Sequence, residues 1–389
     1  MRRSLLLIGA VAVVASCAVL VSAASGSSGS GQARWVIIDL GTLGGKSATA
    51  VDINERGQIV GQSDTGKLAD GGPVGRAFLW QDGKMRALPI GYGEAATDAS
   101  ALNDRGQVVG TWSETNHGDF SGPVLWPKGL NGREVLLDYE SACDGSPTWT
   151  MAGINERGAS VGTFAAEDVE TGGSCQYAFF FDGMIGVVIG TSAVALNDRD
   201  QVLGVSDFGK SKGSHAVLRR PGGRMMDLGA FDPVGLNNRA QVVGTRGSRA
   251  VVWQQGKVTD LGSLGGKVTT PTAINESGQV VGYSGTGRGQ THAFVWQNGR
   301  MTDLGTLSSG KNSSAVAINQ RGQVIGTSSS ASGWGHGFIW QDGKMTDLGT
   351  LPGGNSSTAT AINNRGQIVG WATTKSGARL AVLWTPRSG

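Results

Sequence analysis

A ten-residue pattern recurs eight times along the chain and limits the fold more than any other feature. Its last copy reads Ala361-Ile362-Asn363-Asn364-Arg365-Gly366-Gln367-Ile368-Val369-Gly370. The asparagine stands at Asn54, Asn103, Asn155, Asn197, Asn237, Asn275, Asn319 and Asn363. A glycine follows seven residues later at Gly61, Gly110, Gly162, Gly204, Gly244, Gly282, Gly326 and Gly370. A unit this small cannot bury an apolar face alone, so the copies must pack on one another, and the 389 residues hold one repeat domain.

The local chemistry predicts a β-hairpin. A short apolar strand runs into asparagine, whose side chain can bond the backbone two residues on and open a type I turn. The glycine three residues later takes the positive φ that closes a bulged three-residue loop. Asp200 and Ala240 stand in for that glycine in the fourth and fifth copies. Alanine tolerates the left-handed region poorly, so the fifth turn is expected to be the most strained.

Each unit carries two further strand-like pieces, typified by His292-Ala293-Phe294-Val295-Trp296 and Lys344-Met345-Thr346-Asp347-Leu348-Gly349, usually joined by a tight Gln-Asp-Gly or Gln-Asn-Gly turn. Four strands in each 38 to 52 residues predict an all-β, eight-bladed β-propeller of four-stranded antiparallel blades. Small residues on asparagine's strand suit the crowded axis, and the polar Asp-Leu-Gly strand suits the rim. Trp35-Val36-Ile37-Ile38-Asp39 is then an orphan outer strand, and Leu380 to Trp384 lacks its partner. The N-terminal strand is expected to complete the last blade and hide its edges. Tryptophan ends the third strand in six units, at Trp80, Trp126, Trp253, Trp296, Trp340 and Trp384. That regularity points to packing between blades.

Met1-Arg2-Arg3, the apolar run Leu5 to Val21 and Ser22-Ala23-Ala24 predict a secretory signal peptide over 1–24. Lipidation at Cys17, after Val14-Ala15-Ser16, is the alternative, giving a lipid-anchored surface protein. Residues 25–33 form a Gly/Ser-rich linker, and 34–386 the propeller. Loss of Arg2 and Arg3 lowers the net charge of +3 by two, to +1, which gives no overall electrostatic case for nucleic acid. The mature chain is expected to be extracellular and monomeric, without a membrane span.

His292-Ala293-Phe294 within His-Ala-Phe-Val-Trp-Gln-Asn-Gly, followed by Met301-Thr302-Asp303-Leu304-Gly305-Thr306-Leu307, resembles the HAF repeat of a family of bacterial extracellular repeat proteins. The likeness runs from Trp35 to Trp384 and is strongest in units six to eight. It implies secretion and a repeat fold, and brings no catalytic residues.

No serine elbow, phosphate loop or paired-carboxylate motif occurs. His215, His292 and His336 share one register in different blades, so symmetry spreads them too widely to ligate one metal. The asparagine turns offer too few carboxylates for calcium. No cofactor or metal is implied. Cys143 and Cys175, both placed in connections on one face, form a candidate disulfide in a secreted protein.

The irregular loops gather on that same face. Those of blades one to four hold acids such as Asp64, Asp98, Glu167, Asp207 and Asp232, whereas those beyond Gly244 hold bases, from Arg246 and Lys267 to Lys375 and Arg379. Aromatic residues out of register include Tyr92, Trp112, Trp149, Trp334 and Trp371, candidates for stacking on a sugar or peptide. The sequence therefore reads as a non-enzymatic binding or structural propeller that engages an extracellular glycan or protein through its loops. The alternative is a carbohydrate-active hydrolase or lyase that draws its acid and base from blades one to three.

Overall fold

The computed structural model describes residues 35–387, apart from 70–71, 92–94, 115–120, 132–134, 137–147, 169–172, 183–186, 209–212 and 309. Tyr92, Cys143, Cys17, the signal and the linker lie outside that set.

The strands form eight antiparallel sheets of four, each ordered as in the sequence except the last. Blade one comprises Ala48–Ile53, Ile59–Ala69, Gly72–Gln81 and Lys84–Ala87. In blade eight, Ser357–Ile362, Ile368–Thr373 and Arg379–Pro386 are joined by Trp35–Asp39. Trp35 pairs with Pro386 and Asp39 with Val382, so the N-terminal strand is the outer strand of the last blade, as expected. Ile37 and Leu40 are buried. Asparagine's strand is innermost, and each inner strand touches its two neighbours around the axis.

The hairpin at each asparagine has the predicted form. In blade one, Gly57 N–H donates to the Asn54 carbonyl and Asn54 N–H to Gln58 O, with φ of +80° at Gly57. Asp200 and Ala240 take φ of 56° and 59°, the strain expected of the fifth turn. The Gln-Asp-Gly turns are equally literal: Asp82, Asn298 and Asp342, and the glycines after them, all have positive φ, the geometry of a type I′ hairpin.

What the asparagine does beyond its own turn explains its recurrence. Its Oδ1 accepts two N–H groups of its loop; in blade seven these are Arg321 and Gln323. Its Nδ2 donates across the blade boundary to the main-chain oxygen of the next asparagine. The sequence runs Asn54 to Asn103, then 155, 197, 237, 275, 319, 363, and Asn363 donates back to Asn54, at 2.9 to 3.0 Å throughout. Eight amides therefore link head to tail in a closed ring, and all eight are buried.

A second ring lies beside it. The residue after each asparagine donates its N–H to the side-chain oxygen of its counterpart one blade on: Glu55 to Asp104, Asp104 to Glu156, Glu156 to Asp198, Asp198 to Asn238. Asn238 continues to Glu276, Glu276 to Gln320, Gln320 to Asn364, and Asn364 to Glu55. Every such position holds Asp, Glu, Asn or Gln because each must supply an acceptor.

The glycine seven residues after asparagine has a steric cause. Each inner strand bulges where it faces this glycine, as between Ala50 and Asp52 opposite Gly61. A Cβ at these glycines would lie 1.8 to 2.6 Å from an inner-strand carbonyl oxygen. Around this frame the core divides into interblade clusters; Trp384 and Trp126 are fully buried, and Trp253 nearly so.

Deleting residues through Gly41 removes one strand of blade eight and exposes its third. Thermal denaturation followed by circular dichroism should show a melting temperature lower by many degrees; an unchanged melt contradicts the closure.

Candidate functional site

The sequential meander puts the asparagine and Gln-Asp-Gly turns on one face and all remaining connections on the other. The two faces differ in construction.

On the turn face, side chains are largely spoken for. Gln58 Oε1 accepts from Asn54 Nδ2, and its Nε2 reaches Gln81 Oε1 in the neighbouring turn. The same relay recurs at Gln241 and Gln254, Gln279 and Gln297, and Gln323 and Gln341. Blade three lacks the glutamine, having Ala159 there. Asp200, which replaces the glycine of the next turn, fills the gap: its carboxylate accepts from Asn155 Nδ2 and bridges Arg157 at 2.9 Å. Two irregularities in sequence are thus one repair in space.

The acids of the second ring are half-buried. Burial pushes the Glu156 carboxyl above its usual range against the lowering effect of the Asp104 N–H, and the charges of Asp104 and Asp198 push it further. By contrast, the residue two after the asparagine is arginine in seven of eight turns, and all seven are exposed.

On the loop face, the histidine of the His-Ala-Phe motif pairs with the aspartate of Asp-Leu-Gly on the adjacent strand. The contacts are His215 to Asp227 at 2.8 Å, His292 to Asp303 at 2.9 Å and His336 to Asp347 at 2.8 Å. The aspartate also accepts the N–H of the following glycine, as Gly349 to Asp347. In blade five, Arg249 takes the histidine's place and bridges Asp260. The histidines are structural and lie in separate blades. Among the described residues no group of three or more His, Cys, Asp or Glu could hold a metal ion.

The candidate aromatic residues part company. Trp149 sits edge-on to Phe164 and Phe179, with ring centroids 4.8 and 5.7 Å away, inside an interblade cluster. Trp112 packs half-buried against the core between blades one and two. Trp371 lies beneath the Arg379 guanidinium, 4.5 Å from its ring. Trp334, in the loop before Gly335–Gln341, is 52% exposed. Trp334 and Trp371 occupy neighbouring blades. Tyr92 lies outside the described residues.

The charged positions sort similarly. Asp98, Glu167, Asp207 and Asp232 are exposed, as are Arg246, Lys267, Arg288, Lys311, Lys375 and Arg379. Asp64 is instead committed: the Gly66 and Lys46 N–H groups hold its carboxyl below the usual range. Asp52 and Asp98, on the inner strands of blades one and two, are pushed up by loss of hydration. Cys175 was expected in a loop; it lies in the strand Gly173–Phe181 opposite Ala166, because that hairpin extends as far as Asp168. Its expected partner Cys143 lies outside the described residues.

No family profile matches the sequence, and no curated relative matches it. Solved structures share the fold. The chain is similar to the Dos1 propeller (12% identity, TM-score 0.50, covering 89% of this chain and 94% of that one). It is also similar to Porphyromonas gingivalis dipeptidyl peptidase 4 (11%, TM-score 0.52, covering 85% and 56%). A Mycobacterium tuberculosis puromycin-hydrolyzing peptidase aligns at 10% identity and TM-score 0.49 over 86% of this chain and 60% of the other. The chain therefore spans only about three fifths of either peptidase, and the likeness speaks for the propeller alone. No helix among the described residues is long and apolar enough to cross a membrane.

The Asp347 carboxylate, by its hydrogen bond and its charge, raises the pKa of His336 against the opposing effect of partial burial. A folded-state pKa above the unfolded one adds stability that is full below the unfolded value and is lost as pH rises through the folded one. An NMR titration should place the His336 midpoint above 6.5. Asp347→Asn should bring that midpoint down; a wild-type midpoint at or below 6.5 contradicts the pairing.

Proposed function

We propose that this protein is a secreted, non-enzymatic binding propeller of the HAF-repeat type that engages an extracellular glycan or protein through its loop face. The observation that carries this reading is the exposed Trp334 beside the blade that bears the Trp371 and Arg379 pair. A scaffold locked by its own hydrogen bonds can hold such rings at fixed separation, which lowers the entropic cost of binding. The acidic exposure in blades one to four and the basic exposure beyond them give the face a polarity that would orient a charged partner. A disulfide between Cys143 and Cys175 belongs to the same reading, as does removal of the signal or lipidation at Cys17.

The enzymatic alternative would rest on Asp98, on the inner strand of blade two, whose carboxyl loses hydration there and stays protonated to higher pH than usual, as a general acid requires.

The mature domain should be screened for binding and turnover against cell-wall and exopolysaccharide glycans and peptides, with Trp334→Ala as the control. Binding without turnover, weakened about tenfold or more by Trp334→Ala at unchanged melting temperature, is expected. Turnover abolished by Asp98→Asn would replace the reading with the enzymatic one. Peptide mapping without reduction should recover Cys143 linked to Cys175, and two free thiols would remove that element.

A further inference from the structure

On the turn face, opposite the irregular loops, a cleft opens between blades one and two. It encloses about 620 Å³ and is lined by Arg56, Lys84, Arg86, Arg105 and Lys128, with Asp82 the one carboxylate among its lining residues. All five cations are exposed, and none forms an ion pair with a described carboxylate. The nearby acids Glu55 and Asp104 are turned into the second ring, where they accept main-chain N–H groups.

The cleft exists because blade two departs from the repeat. Its third strand ends in Trp126 and continues as Pro127-Lys128-Gly129-Leu130-Asn131, a short 3-10 turn in place of the tight hairpin. Gly129 has φ of +53°, and a Cβ there would meet the Gly106 carbonyl oxygen at 3.2 Å and Leu79 at 3.3 Å. The wider turn brings Lys128 and Asn131 into the lining of the cleft.

We propose that this cleft binds an acidic oligosaccharide, a hydroxyl-rich chain whose anionic groups recur along its length. Its size falls in the range of small-ligand sites, roughly 300 to 1,000 Å³. Five cations against one acid supply charge-assisted bonds to carboxylate, sulfate or phosphate, and the arginines can pair bidentately. The Gln81 and Asn131 amides in the lining offer donors and acceptors for hydroxyls, and Leu79 and Leu130 an aliphatic floor for a sugar ring. No aromatic side chain is among the lining residues, so a stacked base has no platform. The site is independent of the loop face.

Calorimetric titration of the mature protein with a hexameric oligogalacturonide tests the proposal, with maltohexaose and inorganic phosphate as comparison probes. The acidic hexamer should bind and weaken with added salt. Arg86→Gln with Lys128→Gln should reduce its affinity about tenfold or more without lowering the melting temperature, since both side chains are exposed. Lys311→Gln, on the loop face, should leave it unchanged, and Trp334→Ala should as well, which separates this test from that of the loop face. Absence of binding, affinity indifferent to the double substitution, or equal binding of maltohexaose would overturn the proposal. Inorganic phosphate binding as tightly as the hexamer would reduce the cleft to a free-anion site and overturn it too.

Discussion

A single primary amide, repeated eight times, holds this ring together. Each asparagine uses its full capacity of four hydrogen bonds, two accepted within its own turn, one donated to a side chain and one donated to the next blade. Removing a partner from a buried amide costs more than the bond itself returns, about 1 to 3 kcal/mol per group left unsatisfied. Neither shortening to serine nor charging to aspartate would supply the bond that crosses the blade boundary. The neighbouring requirements follow: an acceptor after the asparagine, a glutamine to take its second amide hydrogen, and a glycine where that glutamine packs against the following turn, as Gln323 does on Gly366. Where the glutamine is lost at Ala159, the glycine opposite becomes Asp200 and restores the acceptor.

This geometry also separates charge by depth. The acids of the second ring, Glu55, Asp104, Glu156, Asp198 and Glu276, reach across the blade boundaries and are half-buried. The arginines one residue later project outward and dominate what an approaching molecule meets. A chain of near-neutral overall charge therefore carries a row of exposed arginines on its turn face.

Much of the architecture was legible because it is local. Turn chemistry fixed the hairpins, strand count fixed the blades, and the orphan pieces at Trp35 and Trp384 fixed the seam. The asparagine ring was not legible, since seven of its bonds join residues 38 to 52 positions apart, the closing one joins residues 309 apart, and all depend on the curvature of the array. The glycine at the seventh position looked like a strand residue until the bulge opposite it placed a carbonyl where Cβ would sit. His336 and Asp347 stood in plain view within one motif, yet only strand register brings them together. On the loop face, spacing could not tell the packed Trp149 from the exposed Trp334, because each departs from the repeat in the same way. The basic cleft was hidden by regularity itself, as its cations come mostly from positions that looked like scaffold.

The claim that the amides act as one ring, rather than as eight separate clips, is tested most directly by native-state hydrogen exchange on Asn319→Ala, a site far in sequence from the seam. Coupling around the ring predicts that inner-strand amides lose protection in all eight blades, including Ala48–Ile53 and Ser357–Ile362 at the closure. Loss confined to the two blades that Asn319 joins, with the other six protected as before, would contradict it.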